Sequence, residues 1–190
     1  MKKVVCLICC LACLLCACNV SVDGYENFSK MTSDYELNLY LLPSEDFSTQ
    51  FKYVDIDYHF SEKYISLTEM YEESLIVIAY DEAEYEQAKK YCLENMQLSK
   101  TNTIEFGNYL FVENDALFVG EHGEEKVNAF PHWFNMFAYN DALKRLVFMG
   151  FYGSAYTTDD AQSIVDNWEE FLETYFSVYD WTTEEASQAA

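Results

Sequence analysis

The chain has 190 residues and a formal net charge of −22, from 33 acidic against 11 basic residues. That length suits one folded domain with a full core. The charge excludes nucleic acid as a partner and gives anionic head groups no attraction, since no run of more than two Lys or Arg (Lys89-Lys90, Lys144-Arg145) offsets it.

The first element is a leader. Lys2 and Lys3 supply a positive start, and Val4 to Ala17 is an uncharged apolar run rich in Leu and Cys. The run is shorter than the roughly 18 apolar residues a membrane-spanning helix needs, so it targets rather than spans. It ends in Leu15-Cys16-Ala17-Cys18.

This motif resembles the lipobox of bacterial lipoprotein precursors, with Leu15 three positions before the modified cysteine and the small Ala17 directly before it. The resemblance covers residues 1–18 and implies transfer of a diacylglycerol to the Cys18 thiol, cleavage between Ala17 and Cys18, and fatty acylation (palmitate) of the new N-terminus. It places the protein on a cell membrane, lipid-anchored and facing away from the cytoplasm. Cys13 is a rival site without an aliphatic residue three positions before it, and an ordinary secretory signal cleaved after Ala17 is the alternative to lipidation.

Six of the seven cysteines (Cys6, Cys9, Cys10, Cys13, Cys16 and Cys18) belong to the leader or its end, so the folded part keeps Cys92 alone and relies on packing rather than disulfides. Loss of Lys2 and Lys3 takes the charge from −22 to −24. Residues 18–33 read as the lipidated N-terminus and a polar tether, rich in Asn, Ser, Asp and Gly. A single domain is expected over 34–181, with a polar, disordered tail over 182–190.

Within that domain a strand is expected near Leu37–Leu42 and another over Phe51–Phe60, where Val54, Ile56, Tyr58 and Phe60 alternate onto one side. Leu75–Tyr80 is a continuous apolar run suited to a central strand. A helix follows over about Asp81–Met96, opened by the capping pair Asp81 and Glu84, with Tyr85, Ala88, Cys92 and Met96 along one stripe. Cys92 is therefore expected in the core.

Two hairpins come next: Thr103–Phe106 with Tyr109–Glu113 around Gly107-Asn108, and Trp133–Tyr139 with Arg145–Tyr152 around Asn140-Asp141. A last helix carries Ile164, Val165, Trp168, Phe171, Leu172, Tyr175, Phe176 and Tyr179 on one face, opened by Asp159 and Gln162. Grouped strands and few strand–helix alternations predict an α+β fold: an antiparallel sheet of about 5–6 strands with two helices on one face, in the order β-β-α-β-β-β-β-α. The 16 Tyr and 14 Phe are assigned first to that core.

Asp55, Asp57 and His59 fall on one face of one strand, two residues apart. They are the residue types that hold a cation, but successive positions of a flat strand diverge, so the wet face of the strand is the expected reading and no metal site is assigned. The connection 114–131 is long and carries His122, Glu124 and Glu125, making it the candidate binding loop. No nucleophile elbow, zinc-protease helix, phosphate loop or dinucleotide fingerprint is present, so no catalytic residue and no cofactor is expected.

The sequence therefore predicts a lipid-anchored, extracytoplasmic accessory domain with an acidic surface that binds an envelope or extracellular protein or glycan without catalysis. The alternative is a small hydrolase of envelope glycans or peptides that works through carboxylates.

Overall fold

The computed structural model describes residues 20–23, 41–44, 46–65, 69–114, 118–119, 125–126, 133–155 and 163–182. The leader with Ala17 and Cys18, the pair Asp159 and Gln162, and residues 183–190 lie outside these.

The fold is α+β and mostly strand. In chain order the elements are β1 (Val20–Asp23), α1 (Phe47–Gln50), β2 (Tyr53–Tyr64), β3 (Met70–Tyr80), α2 (Glu82–Asn95), β4 (Leu98–Phe106), β5 (Tyr109–Asn114), β6 (Phe118–Val119), β7 (Glu125–Lys126), β8 (Trp133–Asn140), β9 (Arg145–Gly153) and α3 (Trp168–Tyr175). Seven strands form one sheet in the order β1-β2-β3-β9-β8-β5-β4, and every neighbouring pair is antiparallel. β6 and β7 make a separate two-stranded ladder.

The two predicted hairpins form as β4–β5 and β8–β9, and Leu75–Tyr80 lies in β3, well inside the sheet. The helix after it is opened by Asp81, whose side chain accepts the Glu84 N–H at 3.0 Å. This satisfies one of the amide donors that the first helical turn leaves unpaired.

The helices are not on one face, as the order of elements had led us to expect. On β3 the side chains of Ile76, Ile78 and Tyr80 pack with Tyr85, Ala88 and Cys92 of α2. Their neighbours Leu75 and Val77 pack with Trp168, Phe171 and Leu172 of α3. Alternate residues of a strand point to opposite faces, so α2 and α3 cover opposite sides of the sheet. The same alternation repeats in β9, with Leu146 and Phe148 toward α2 and Val147, Met149 and Phe151 toward α3.

Three further expectations change in detail. Val20–Asp23, read as tether, pairs with β2 as an edge strand, Val20 opposite Glu62. The ladder slips between Tyr53 and Asp55, and the intervening Val54 is 70% exposed instead of joining Ile56, Tyr58 and Phe60 on the α2 side. A bulged residue leaves the alternation of its strand. The last helix is interrupted: residues 163–166 form one helical turn, Asn167 adopts φ −127° and ψ 49°, and α3 begins at Trp168. The side-chain amide of Asn167 donates to the Ser163 carbonyl at 3.0 Å, a local bond that competes with regular helix.

Leu41 and Leu42, at the end of the segment expected as a strand, lie in a turn and bend, and 34–40 is outside the described residues. Leu41 is buried and belongs to the core on the α2 side together with Phe47 of α1.

Candidate functional site

Antiparallel pairing brings the turns of the two hairpins to the same end of the sheet, because β5 and β8 are neighbours and Leu110 stands opposite Tyr139. Between the turns lies an open groove of about 750 Å³, lined by Glu105, Gly107, Asn108, Leu110, Tyr139 and Asn140 among others, with Asp141 and Leu143 from the second turn. Its size falls within the range of small-ligand sites.

Each turn is fixed by specific chemistry. In the first, Gly107 has φ +58°, and a Cβ there would collide with the backbone carbonyl of Trp181. Only glycine combines that dihedral with so close an approach of another chain segment. In the second, Asn140 Oδ1 accepts the N–H groups of Ala142 and Leu143, both at 3.0 Å, and Lys144 closes the turn at φ 53°. The Lys144 carbonyl accepts the Tyr80 N–H at 3.0 Å, tying the turn to the end of β3.

Asn140 is 1% exposed, and its Nδ2 has no hydrogen-bond partner. A buried donor left unpaired costs roughly 1–3 kcal/mol. Asn140 thus lines the groove while its unpaired amide donor is itself buried.

α2 supplies the electrostatics. Tyr85 and Lys89 are one helical turn apart, and both donate to Asp141 Oδ1, at 2.5 Å and 2.6 Å. The bonds from Lys89 and Tyr85 hold the Asp141 carboxyl below the usual carboxylate range, against a smaller opposing effect of burial. Lys89 also sits 4.0 Å from the centre of the Tyr139 ring, and Lys144 pairs with Glu82 at 3.0 Å. On the other side of the sheet end, the Tyr109 and Tyr179 hydroxyls meet at 2.8 Å and Arg145 donates to Tyr179 at 2.9 Å. That chain joins the groove-lining Tyr109 to the segment after α3.

Of the residues named from sequence, Asp55, Asp57, His59 and Cys92 are not in the lining of the groove. Asp55 and Asp57 are exposed, and each carboxylate accepts the N–H of the following residue at 2.9 Å. His59 is buried and faces Glu73 of β3 at 3.6 Å, and no group of three or more metal-ligating side chains occurs among the described residues. His122 and Glu124 lie outside the described residues, while Glu125 starts β7 and pairs with Val119. Cys92 is buried in the α2-side core, and burial pushes its thiol well above the ordinary value, away from reactivity.

A second polar locus was not read from sequence. Glu73, 2% exposed, is paired through Oε1 with His59 and with Lys63, each at 3.6 Å, while its Oε2 and the Oγ of Ser61 have no partner. Burial disfavours the charge on Lys63, yet Tyr71 and Glu73 outweigh it and raise the ammonium above its ordinary value. Glu73 stands opposite Ser61 in the ladder, and a period-two reading of either strand alone cannot find a pairing across strands.

No protein-family model and no curated protein matches the chain. It is similar, over 82% of its own length and 82% of that chain's, to the crystal structure of the extracellular domain of PknH from Mycobacterium tuberculosis. The identity is 10% and the TM-score 0.33, a likeness too slight to carry fold or function.

Proposed function

We propose that the chain is a lipid-anchored extracytoplasmic protein that acts by binding, with the groove between the hairpin turns as its site. The lipobox-like Leu15-Cys16-Ala17-Cys18 supports the anchor at Cys18 and the address outside the cytoplasm. The observation that carries the binding reading is the groove itself, formed where the two hairpin turns meet, with the buried Asn140 in its wall. Next to it stand acceptors, Glu105 and the ionised Asp141, and the half-buried ring of Tyr139.

Donors and acceptors side by side suit a hydroxyl-rich partner, an envelope or extracellular glycan or a protein surface of similar polarity. Polyanions are disfavoured by the net charge. The grouping of Glu105 and Asp141 in one groove is what favours the hydrolase reading. General-acid chemistry needs a carboxyl that keeps its proton near neutral pH, and Lys89 with Tyr85 drives Asp141 the other way. Binding therefore explains Asp141 better than proton transfer does.

The test is photo-crosslinking in intact cells from the exposed Asn108 at the groove, compared with Glu94 on the outer side of α2. The expected result is a discrete glycan or protein species from position 108 that is lost in the Asn140→Ala variant. Equal products from both positions would contradict the assignment.

A further inference from the structure

Arg145 is the only arginine in the chain, and it opens β9 opposite Asn140 of β8 and Ala79 of β3. Its successors Leu146 and Val147 pack toward α2 and α3 in turn, so strand alternation puts Arg145 on the α3 side. There its half-buried guanidinium donates to the Tyr179 hydroxyl at 2.9 Å.

Acidic residues outnumber basic ones 33 to 11, yet this cation has no carboxylate. Among the described residues Lys63, Lys89, Lys90 and Lys144 each meet one, at 2.6–3.8 Å, and Arg145 meets none. The acid in its own row of the sheet is Asp55, two strands away beyond Ala79 and so roughly 10 Å off, and that carboxylate accepts the Ile56 N–H. The guanidinium therefore keeps N–H donors beyond the one given to Tyr179, and a charge that burial makes costly to leave unpaired.

The phenols beside it leave a proton over. Tyr109 and Tyr179 hold two hydroxyl protons and share one hydrogen bond, at 2.8 Å. Tyr109 is 3% exposed while Tyr179 is half-buried, so the proton of Tyr109 belongs in that bond, because a buried donor without an acceptor is the costlier of the two. Tyr179 then accepts from Tyr109 and from Arg145, which uses both lone pairs of its oxygen, and its own O–H has no acceptor among the described residues. The ring is held in place against Trp181, with centroids 4.8 Å apart, and the Tyr179 N–H donates to the Phe176 carbonyl at 3.2 Å.

From this we infer that Arg145 and Tyr179 form a binding site for the carboxylate of a small organic acid, one oxygen taking guanidinium N–H groups and the other the Tyr179 O–H. A carboxylate is the planar acceptor that matches a guanidinium fork. A dianion such as sulfate fits less well, since Lys144 is already paired with Glu82 and the net charge of −22 repels a double charge twice as strongly as a single one. The site stands apart from the groove reading, because Arg145 does not line the groove.

The sole arginine supplies its own probe. Full-length protein grown on arginine labelled with the NMR-active nitrogen isotope, and extracted in non-ionic detergent, gives one side-chain Nε signal. Sodium acetate is added in exchange for sodium chloride at constant ionic strength, with acetamide, the uncharged isostere, and sodium sulfate in parallel. The expected result is a shift that saturates with acetate, no shift with acetamide and weaker binding of sulfate. Tyr179→Phe, which keeps the ring and removes the hydroxyl, is expected to weaken acetate binding by about tenfold, with an unchanged Trp168 indole signal as the check on folding.

A signal that ignores acetate, or drifts with it without saturating, would overturn the site. Sulfate binding as tightly as acetate would overturn the carboxylate assignment. Unchanged acetate affinity in a folded Tyr179→Phe variant would overturn the two-donor geometry, and if that variant does not fold the titrations of the native protein decide.

Discussion

Four buried acidic-hydrogen groups determine how the fold meets base. Burial raises Cys92, and burial also raises Tyr80, Tyr85 and Tyr109, the last two aided by hydrogen bonds to Asp141 and Tyr179. Below their ordinary values, about 8.5 for Cys and 10 for Tyr, folded and unfolded chains both hold these protons and contribute no pH dependence. Above them the unfolded chain releases protons that the folded chain keeps, so stability falls as pH rises. Each fully linked group contributes about 1.4 kcal/mol per pH unit. Urea-unfolding midpoints are expected to begin falling near pH 9 and to fall more steeply beyond pH 10. A midpoint constant from pH 9 to 11 would show that these protons are not tied to folding.

At the scale of elements, the β4–β5 turn is the clearest local construction. Gly107 and Asn108 are legible in the sequence as a hairpin turn, and the structure adds the reason that only glycine fits, the carbonyl of Trp181 against it. Gly107→Ala places a side chain in a left-handed conformation and into that carbonyl, and is expected to destabilise by about 2 kcal/mol or more. Chemical denaturation of the purified domain checks this. An unchanged midpoint would mean that the segment after α3 does not dock on the turn.

Element identities were largely readable because their periodicities are strong: the α2 stripe, the alternation of β2 and the two hairpins. The sides taken by the helices were misread from element order, although the signal was present. A run such as Leu75–Tyr80, apolar at every position, needs cover on both faces, and that alone calls for a helix on each side. The bulge at Val54 and the break at Asn167 follow from single residues leaving a regular pattern, which periodicity averages away.

Over the whole molecule, the groove end emerges only after strand pairing is known. Asn108, Asn140 and Asp141 read in sequence as ordinary turn residues, because nothing local reveals that β5 and β8 are neighbours or that Tyr85 and Lys89 reach across to Asp141. Asp55, Asp57 and His59 were visible as a pattern, but sequence alone could not tell that the first two are exposed and the third is buried against Glu73. The anchor motif is of another kind, since recognition of a leader acts on unfolded sequence and its reading rests on Leu15-Cys16-Ala17-Cys18 alone.

The reading of the molecule as a membrane-held binding domain stands most directly on Cys18, and one measurement reaches it: metabolic labelling with a fatty acid and membrane fractionation of cells expressing the native chain and its Cys18→Ala variant. The native protein is expected to take up the label and sediment with membranes, and the variant to lose the label and most of its membrane association. Undiminished labelling and membrane retention in the Cys18→Ala variant would contradict the account.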